Sequence, residues 1–169
     1  MPKRTITPLE NGRVRLRLLE ESDLPATLAW RNQDHIRKWF FHSDVIAPDQ
    51  HRAWWDRYLQ KDDDFVFVIE ETESLKRPVG QVALYNIDWE NGTAEYGRLM
   101  IGDPDARGLG LARLATARLV EEALGPWQLS EVHLEVKPAN EAALAVYRAT
   151  GFTVVDADAD VVRMRRGAA

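Results

Sequence analysis

The chain is 169 residues long, 45% of them hydrophobic and 29% charged, with no cysteine and a formal net charge of −5. This length and balance fit one globular domain with its own core, so we predict a single domain over residues 1–169. The lack of cysteine excludes disulfides, thiolate zinc sites and a cysteine nucleophile, and the acidic balance argues against a nucleic-acid partner.

No apolar run approaches the length of a membrane-spanning helix, and the basic start at residues 1–4 lacks the apolar stretch of a signal peptide. We therefore expect a cytoplasmic protein without a membrane partner. The residues indicate no metal site. They leave the assembly state open, with a homodimer as one form.

The first part of the chain predicts a strand, three helices and an antiparallel meander. Alternating apolar and basic residues indicate a strand at 14–19, and Ser22 is expected to cap the helix that follows. Further helices are predicted at 34–41 and 48–61. Strands are then expected at 65–69, 79–87 and 94–101.

In the rest of the chain the spacing of apolar residues changes from that of strands to that of helices. Apolar residues at helical spacing predict a helix over 111–124, followed by a strand at 132–136 and a helix from Asn140 to Gly151. A final hairpin is expected at 152–155 and 160–164. This order predicts an α+β domain, a mixed sheet that carries helices on its faces.

A glycine-punctuated turn, residues 107–112, joins the strand at 94–101 to the long helix. Glycine at 108 and 110 permits positive φ and close approach of a ligand, and the free amides of the helix N-terminus face the same point. The turn therefore predicts an anion site of pyrophosphate size, with a plain connection as the alternative. It lacks the Lys of a P-loop, and Arg113 replaces the third glycine of a dinucleotide fingerprint.

A second motif lies in the helix that begins at Asn140. Tyr147 follows Asn140 by seven residues, nearly two helical turns, so both side chains share one face of the helix. Taken alone, they read as a helix cap and a core aromatic. Their occurrence downstream of the glycine turn, with a strand between, favours a function that uses both motifs.

The pattern Arg-x-x-Gly-x-Ala at 107–112, together with this helix, resembles the GNAT superfamily of acetyl-CoA-dependent N-acetyltransferases. The resemblance implies the GNAT fold, with a mostly antiparallel mixed sheet whose fourth and fifth strands, here 94–101 and 132–137, splay apart to admit the thioester. It implies acetyl-CoA as cosubstrate. The implied cofactor contacts are Met100, Ile101, Gly102, Arg107, Gly108, Leu109, Gly110, Leu111, Ala112, Arg113, Asn140 and Arg148; the arginines could equally be surface charges.

The resemblance also implies catalytic roles. Tyr147 is expected to protonate the departing thiolate, and Glu95, at the start of the fourth strand, is the first choice for the base that deprotonates the amine. Glu95 could instead pair with Arg98. His133, Glu135, His42 and bulk water remain alternative bases. Backbone amides at 100–102 are expected to bind the carbonyl oxygen if a bulge lies there.

Substrate choice is expected in the aromatic-rich region 30–60, with Trp30, Arg31, Asn32 and Trp39 as binding residues. This region resembles the branch that holds the amino-sugar N-acetyltransferase of pseudaminic acid synthesis and, in part, Rim-type Nα-acetyltransferases; Phe40 and Phe41 depart from the amino-sugar pattern. We expect an N-acetyltransferase acting on the primary amine of a small molecule, with an amino sugar as one candidate. The alternatives are a protein Nα-acetyltransferase and a non-catalytic acyl-CoA-binding module.

Overall fold

A computed structural model describes residues 3–168, in which eight strands form one sheet of order β1-β2-β3-β4-β5-β6-β8-β7. Neighbouring strands run antiparallel except β5 and β6, which are parallel. The strands are β1 (Leu9–Asn11), β2 (Val14–Leu18), β3 (Phe65–Glu71), β4 (Arg77–Asp88), β5 (Thr93–Ile101), β6 (Glu131–Val136), β7 (Thr153–Ala157) and β8 (Val162–Gly167). The helices are α1 (Leu24–Arg31), α2 (Asp34–Arg37), α3 (Pro48–Tyr58), α4 (Leu111–Leu124) and α5 (Glu141–Ala149).

Both faces of the central strands are covered. On one face α4 and α5 enclose the larger core, and on the other α1 and α3 enclose a smaller one that contains Trp55 and Tyr58. Because β3 lies between the two cores, Phe65 and Phe67 point to the first while Val66 and Val68 point to the second. None of the described helices is long and apolar enough to cross a bilayer.

The predicted splay between the two parallel strands is present. β5 pairs with β6 only at residues 93–95, opposite 131–133. Beyond that point β5 stays paired with β4, and the register shifts between Gln81 and Ala83, where Arg98 adopts a φ of 53°. The bulge therefore precedes the predicted position at 100–102. One edge of β5 is left open toward the gap between the two strands, which places a binding surface at the centre of the sheet.

Most predicted elements are confirmed, with differences at their ends. Ser22 does not cap α1, because a 3₁₀ turn at Glu21–Asp23 precedes the helix and Asp23 takes the cap position. The predicted helix at 34–41 ends at Arg37. Strand β1 was not predicted; it pairs with β2 across a turn at Gly12, whose φ is 57°.

Candidate active site

The glycine turn before α4 has the shape expected of an anion cradle. Gly108 and Gly110 have φ of 76° and 74°, and a Cβ placed on either would meet no atom within 4 Å. The first helical hydrogen bond runs from the Leu114 amide to the Gly110 carbonyl at 3.2 Å. The backbone amides of residues 108–113 have no backbone acceptor within the described chain, so they are available to an anion.

A channel of about 300 Å³, here called the cradle channel, begins beside this turn. Arg107 and Ala112 line its start, and it runs between β5 and α5 past Ile101 and Ala143. It continues into a second space of about 610 Å³, the gap cavity, which opens between the splayed strands. The two share the lining residues Trp39, Phe40, Leu99, Asn140 and Ala143. The channel and the gap cavity therefore lie side by side between the cradle and Tyr147.

Tyr147 lines the gap cavity from α5 and is 6% exposed. Its ring packs edge-on against Tyr96, with centroids 6.0 Å apart, and against Phe152, 5.8 Å apart. Burial raises the pKa of the phenol well above its ordinary value, so the hydroxyl keeps its proton at neutral pH. The hydroxyl is not among the buried polar atoms that lack a partner, which is consistent with an opening to the cavity.

Glu95 shares the gap cavity with Tyr147. Its carboxylate accepts hydrogen bonds from the Tyr85 hydroxyl at 3.0 Å and from the Asn86 amide at 3.1 Å. The alternative pairing of Glu95 with Arg98 is wrong, because the Arg98 guanidinium forms an ion pair with Asp64 at 2.8 Å. Two hydrogen bonds therefore fix Glu95 without neutralising its charge.

The alternative bases are distributed differently. Glu135 lines the gap cavity but also lies 3.6 Å from Arg163 in an ion pair. His133 faces the same side of the sheet as Glu95, its register partner, yet lines none of the three spaces described here. His42 lines a separate pocket, described below.

The predicted backbone contacts with the cofactor need one correction. The Gly102 amide already donates to the Val79 carbonyl at 2.8 Å, so it is not free for a ligand. A Cβ on Gly102 would lie 2.0 Å from Trp30, which shows that this glycine serves the packing of α1 on β5. Met100 and Ile101 line the cradle channel as expected.

The remaining predicted cofactor residues fall into two groups. Asn140 lines both the channel and the gap cavity, and its side chain also caps α5 by accepting the Ala143 amide at 3.2 Å. Arg107 lines the channel and contacts His35. Arg113 and Arg148 are exposed on the first turn of α4 and the last turn of α5, outside the three spaces.

A third space, the side pocket, has a volume of about 540 Å³ and lies between α1, α3 and the loop at 38–47. It meets the gap cavity at Phe40 and Arg98, and the cradle channel at Phe40 and Met100. Its lining residues are Thr27, Arg31, Phe40, His42, Asp44, Val45, Ile46, Gln50, His51, Trp54, Gln81, Arg98 and Met100.

Of the four predicted substrate residues, only Arg31 lines the side pocket. Trp30 packs on Gly102, and the Asn32 amide bonds the backbone of Ile46 at 2.8 and 2.9 Å, which holds the 38–47 loop to α1. Trp39 lines the channel and gap instead. The prediction missed Gln81 and Thr27, for which single polar residues in a strand and a helix offer no signal.

A protein-family model described as an acetyltransferase (GNAT) domain matches residues 13–153. The chain belongs to the GNAT family. As a GNAT enzyme it is an acetyl-CoA-dependent N-acetyltransferase, which confirms the predicted fold, enzyme class and cosubstrate. The free amides of the cradle and the channel beyond it fit the diphosphate and the long arm of this cosubstrate.

Among its relatives is the spermidine N(1)-acetyltransferase of Escherichia coli K12, 28% identical over 141 residues, which are 83% of this chain and 73% of the relative. A spermidine N-acetyltransferase from Vibrio cholerae, solved in complex with CoA and spermine, superposes with a TM-score of 0.82 at 24% identity, covering 94% of this chain and 97% of the other. A domain from Methanocaldococcus jannaschii superposes with a TM-score of 0.79 at 20% identity, covering 91% of this chain and 97% of the other. The amino-sugar or Rim-type branch is therefore not confirmed.

Proposed function

We propose that this GNAT enzyme acetylates the primary amine of a small molecule by direct attack within a ternary complex. Acetyl-CoA supplies an acyl group activated as a thioester. The observation that carries the proposal is the meeting of the side pocket and the cradle channel at Phe40 and Met100, beside the gap that holds Tyr147. Two ligands held in these adjacent spaces would lie next to each other, and such placement alone can lower a barrier by about 7–11 kcal/mol.

On the cofactor side, we assign the diphosphate to the amides of residues 108–113. The open edge of β5 at Met100 and Ile101 is available to pair with the amide groups of the arm, as an added strand would. Arg107 stands at the mouth of the channel, where it can pair with a phosphate oxygen. Asn140 supplies an amide group at the junction of channel and gap; Arg113 and Arg148 remain candidates for the nucleotide end.

On the catalytic side, Glu95 takes a proton from the incoming ammonium, directly or through water, so that a neutral amine forms. The nitrogen–carbon bond forms as the carbon–sulfur bond breaks, and the Tyr147 phenol gives its proton to the sulfur. The proton that nitrogen sheds as the amide forms restores the phenol through water. Tyr85 and Asn86 hold Glu95 in place for this role.

Two observations bear on the class of amine. Curated relatives are named for spermidine, while aromatic residues in the 30–60 region suit a flat or sugar-like ligand. A protein N-terminus is less favoured, because Asn32 and Arg31 tie the 38–47 loop down along the side pocket, where an extended peptide would need an open groove. A polyamine and a sugar-like amine are both small-molecule amines, so this class covers the two favoured candidates.

A thiol-release assay tests the proposal. Purified protein is given acetyl-CoA with polyamines, amino sugars, amino acids and a peptide with a free N-terminus, and CoA binding is measured by calorimetry. We expect thiol release well above hydrolysis with at least one small amine. CoA binding without release for any amine would support a non-catalytic module, and turnover of the peptide alone would support a protein Nα-acetyltransferase.

A further inference from the structure

Arg31 is a buried cation that faces the side pocket without an anionic partner. It ends α1 and is 8% exposed. One terminal nitrogen donates to the His42 carbonyl, and the guanidinium carbon lies 4.3 Å from the centre of the Phe40 ring. Within residues 3–168 its other terminal nitrogen, Nη1, is the one buried side-chain polar atom without a hydrogen-bond partner.

This arrangement leaves a positive charge that no carboxylate of the described chain offsets. No carboxylate of residues 3–168 forms an ion pair with Arg31, and a guanidinium cannot lose its proton at physiological pH. Burial and the nearby charge of Arg37 both lower the pKa of Arg31. Arg37 is itself paired with Asp34 at 2.9 Å. An oxyanion bound in the side pocket would offset both effects.

The other ionisable groups of the side pocket do not change this balance. Arg98 is paired with Asp64, and His42 is exposed. Burial lowers the pKa of His51, whose ring stacks on that of Trp54 with centroids 5.5 Å apart. Asp44 is the carboxylate among the described lining residues, and it is exposed at the rim. A polycation would need several carboxylates here, whereas the buried end of the pocket carries a cation.

We propose that the acceptor is a primary amine that also bears a carboxylate or a phosphate, and that Arg31 binds this oxyanion while the amine points to the gap. This inference rests on the proposed function and narrows its substrate class. The Phe40 ring and the His42 carbonyl both contact the guanidinium, so it is held in position before an oxyanion arrives. The anion-bearing end enters the side pocket, away from the cradle that we assign to the cofactor diphosphate.

Matched pairs of amines test the proposal, because each pair differs only in its distal group. The pairs are glucosamine with glucosamine 6-phosphate, ethanolamine with phosphoethanolamine, and 4-amino-1-butanol with 4-aminobutanoate; 1,4-diaminobutane and spermidine serve as polycations. We expect kcat/KM for at least one oxyanion-bearing amine to exceed that of its neutral partner and of both polycations by about 10-fold or more. The pair that shows this preference identifies phosphate or carboxylate as the group recognised.

The Arg31→Gln variant should remove the preference. The ratio of kcat/KM for the oxyanion-bearing amine to kcat/KM for its neutral partner should fall about 10-fold or more. This ratio cancels any loss that comes from the hydrogen bond between Arg31 and the His42 carbonyl, because that loss affects both amines alike. Arg31→Lys should keep part of the preference, because it keeps the charge. Arg52→Gln is the control, since Arg52 lies on the exposed side of α3 and pairs with Glu21. Melting temperature and CoA affinity show whether each variant is folded.

Binding separates this inference from the proposed function. With CoA present, the preferred oxyanion-bearing amine should raise the melting temperature of the wild-type protein and not that of Arg31→Gln, whether or not turnover occurs. Equal or better turnover of neutral amines or polycations, with no effect of Arg31→Gln, would mean that water alone satisfies Arg31 and would overturn the inference. Oxyanion binding that depends on Arg31 without any thiol release would overturn the proposed function instead.

Discussion

Tyr147 is the residue on which the proposed proton transfer depends. Aromatic edges on two sides fix its ring, and burial keeps the phenol protonated. We predict that Tyr147→Phe lowers kcat by about 10²–10⁴-fold, the usual size of a general acid–base contribution, and leaves the affinity for CoA nearly unchanged. Steady-state kinetics and calorimetry check the two halves of this prediction.

Tyr58→Phe is the matched control, because the Tyr58 hydroxyl is buried and accepts a hydrogen bond from the Val66 amide at 3.0 Å. It should cost stability while kcat stays close to wild type. The pH profile adds a second check. Since the phenol pKa is raised, the proton donor is retained as pH increases up to at least its ordinary value of about 10, while the amine becomes deprotonated. If kcat of the wild-type enzyme decreases with rising pH below pH 9, and this decrease is absent in Tyr147→Phe, the role of Tyr147 as proton donor is contradicted.

Site residues that belong to a local sequence motif could be predicted from the sequence. Asn140 and Tyr147 share a helix face by spacing alone, and both line the gap cavity. Trp30 shows the limit, because nothing in an aromatic residue on a helix reveals that Gly102, distant in sequence, packs against its ring. The lack of an ion-pair partner for Arg31 could not be predicted either, since it depends on where the fold places the carboxylates.

The turn between β5 and α4 is proposed to bind the diphosphate of CoA through its backbone amides. Two glycine substitutions test this role. We predict that Gly108→Ala and Gly110→Ala each weaken CoA binding by about 10-fold or more, because a Cβ would stand where the diphosphate meets the amides. Calorimetry with CoA measures this loss. Their positive φ also makes each substitution destabilise the fold by about 1–3 kcal/mol.

Gly12→Ala separates strain from ligand contact. Gly12 has a φ of 57° and open space around it, as Gly108 and Gly110 do, but it lies in the β1–β2 turn away from the cradle. It should lower the melting temperature by a comparable amount and leave CoA affinity unchanged. If all three variants bind CoA as wild type does, the diphosphate is held elsewhere.

Elements with strong local patterns were predictable, and those that depend on tertiary contacts were not. The helix over 111–124 follows from its apolar period and the glycines on either side, and it has the predicted bounds. The helix predicted at 34–41 stops early, since the following loop is held by the Asn32 side chain instead of continuing the helix. Strand β1, only three residues long at the sheet edge, carries too few residues for a period.

Across the whole molecule, one sheet brings the two ligand paths together. β5 pairs with β4, and the ion pair between Arg98 and Asp64 holds the bulge between these two strands. β6 pairs with β8. The gap is the consequence of these two separate pairings. The family resemblance implied it, although composition and periodicity could not. The prediction that residues 1–169 form one domain remains a proposal, supported by the single sheet.

Initial velocities at varied acetyl-CoA and varied amine test the central claim most directly, because that claim is attack by the amine on a thioester held in the same complex. The account predicts intersecting double-reciprocal lines and no acetyl group attached to the protein after incubation with acetyl-CoA alone. Parallel lines, together with an acetylated protein detected by mass spectrometry, would contradict it.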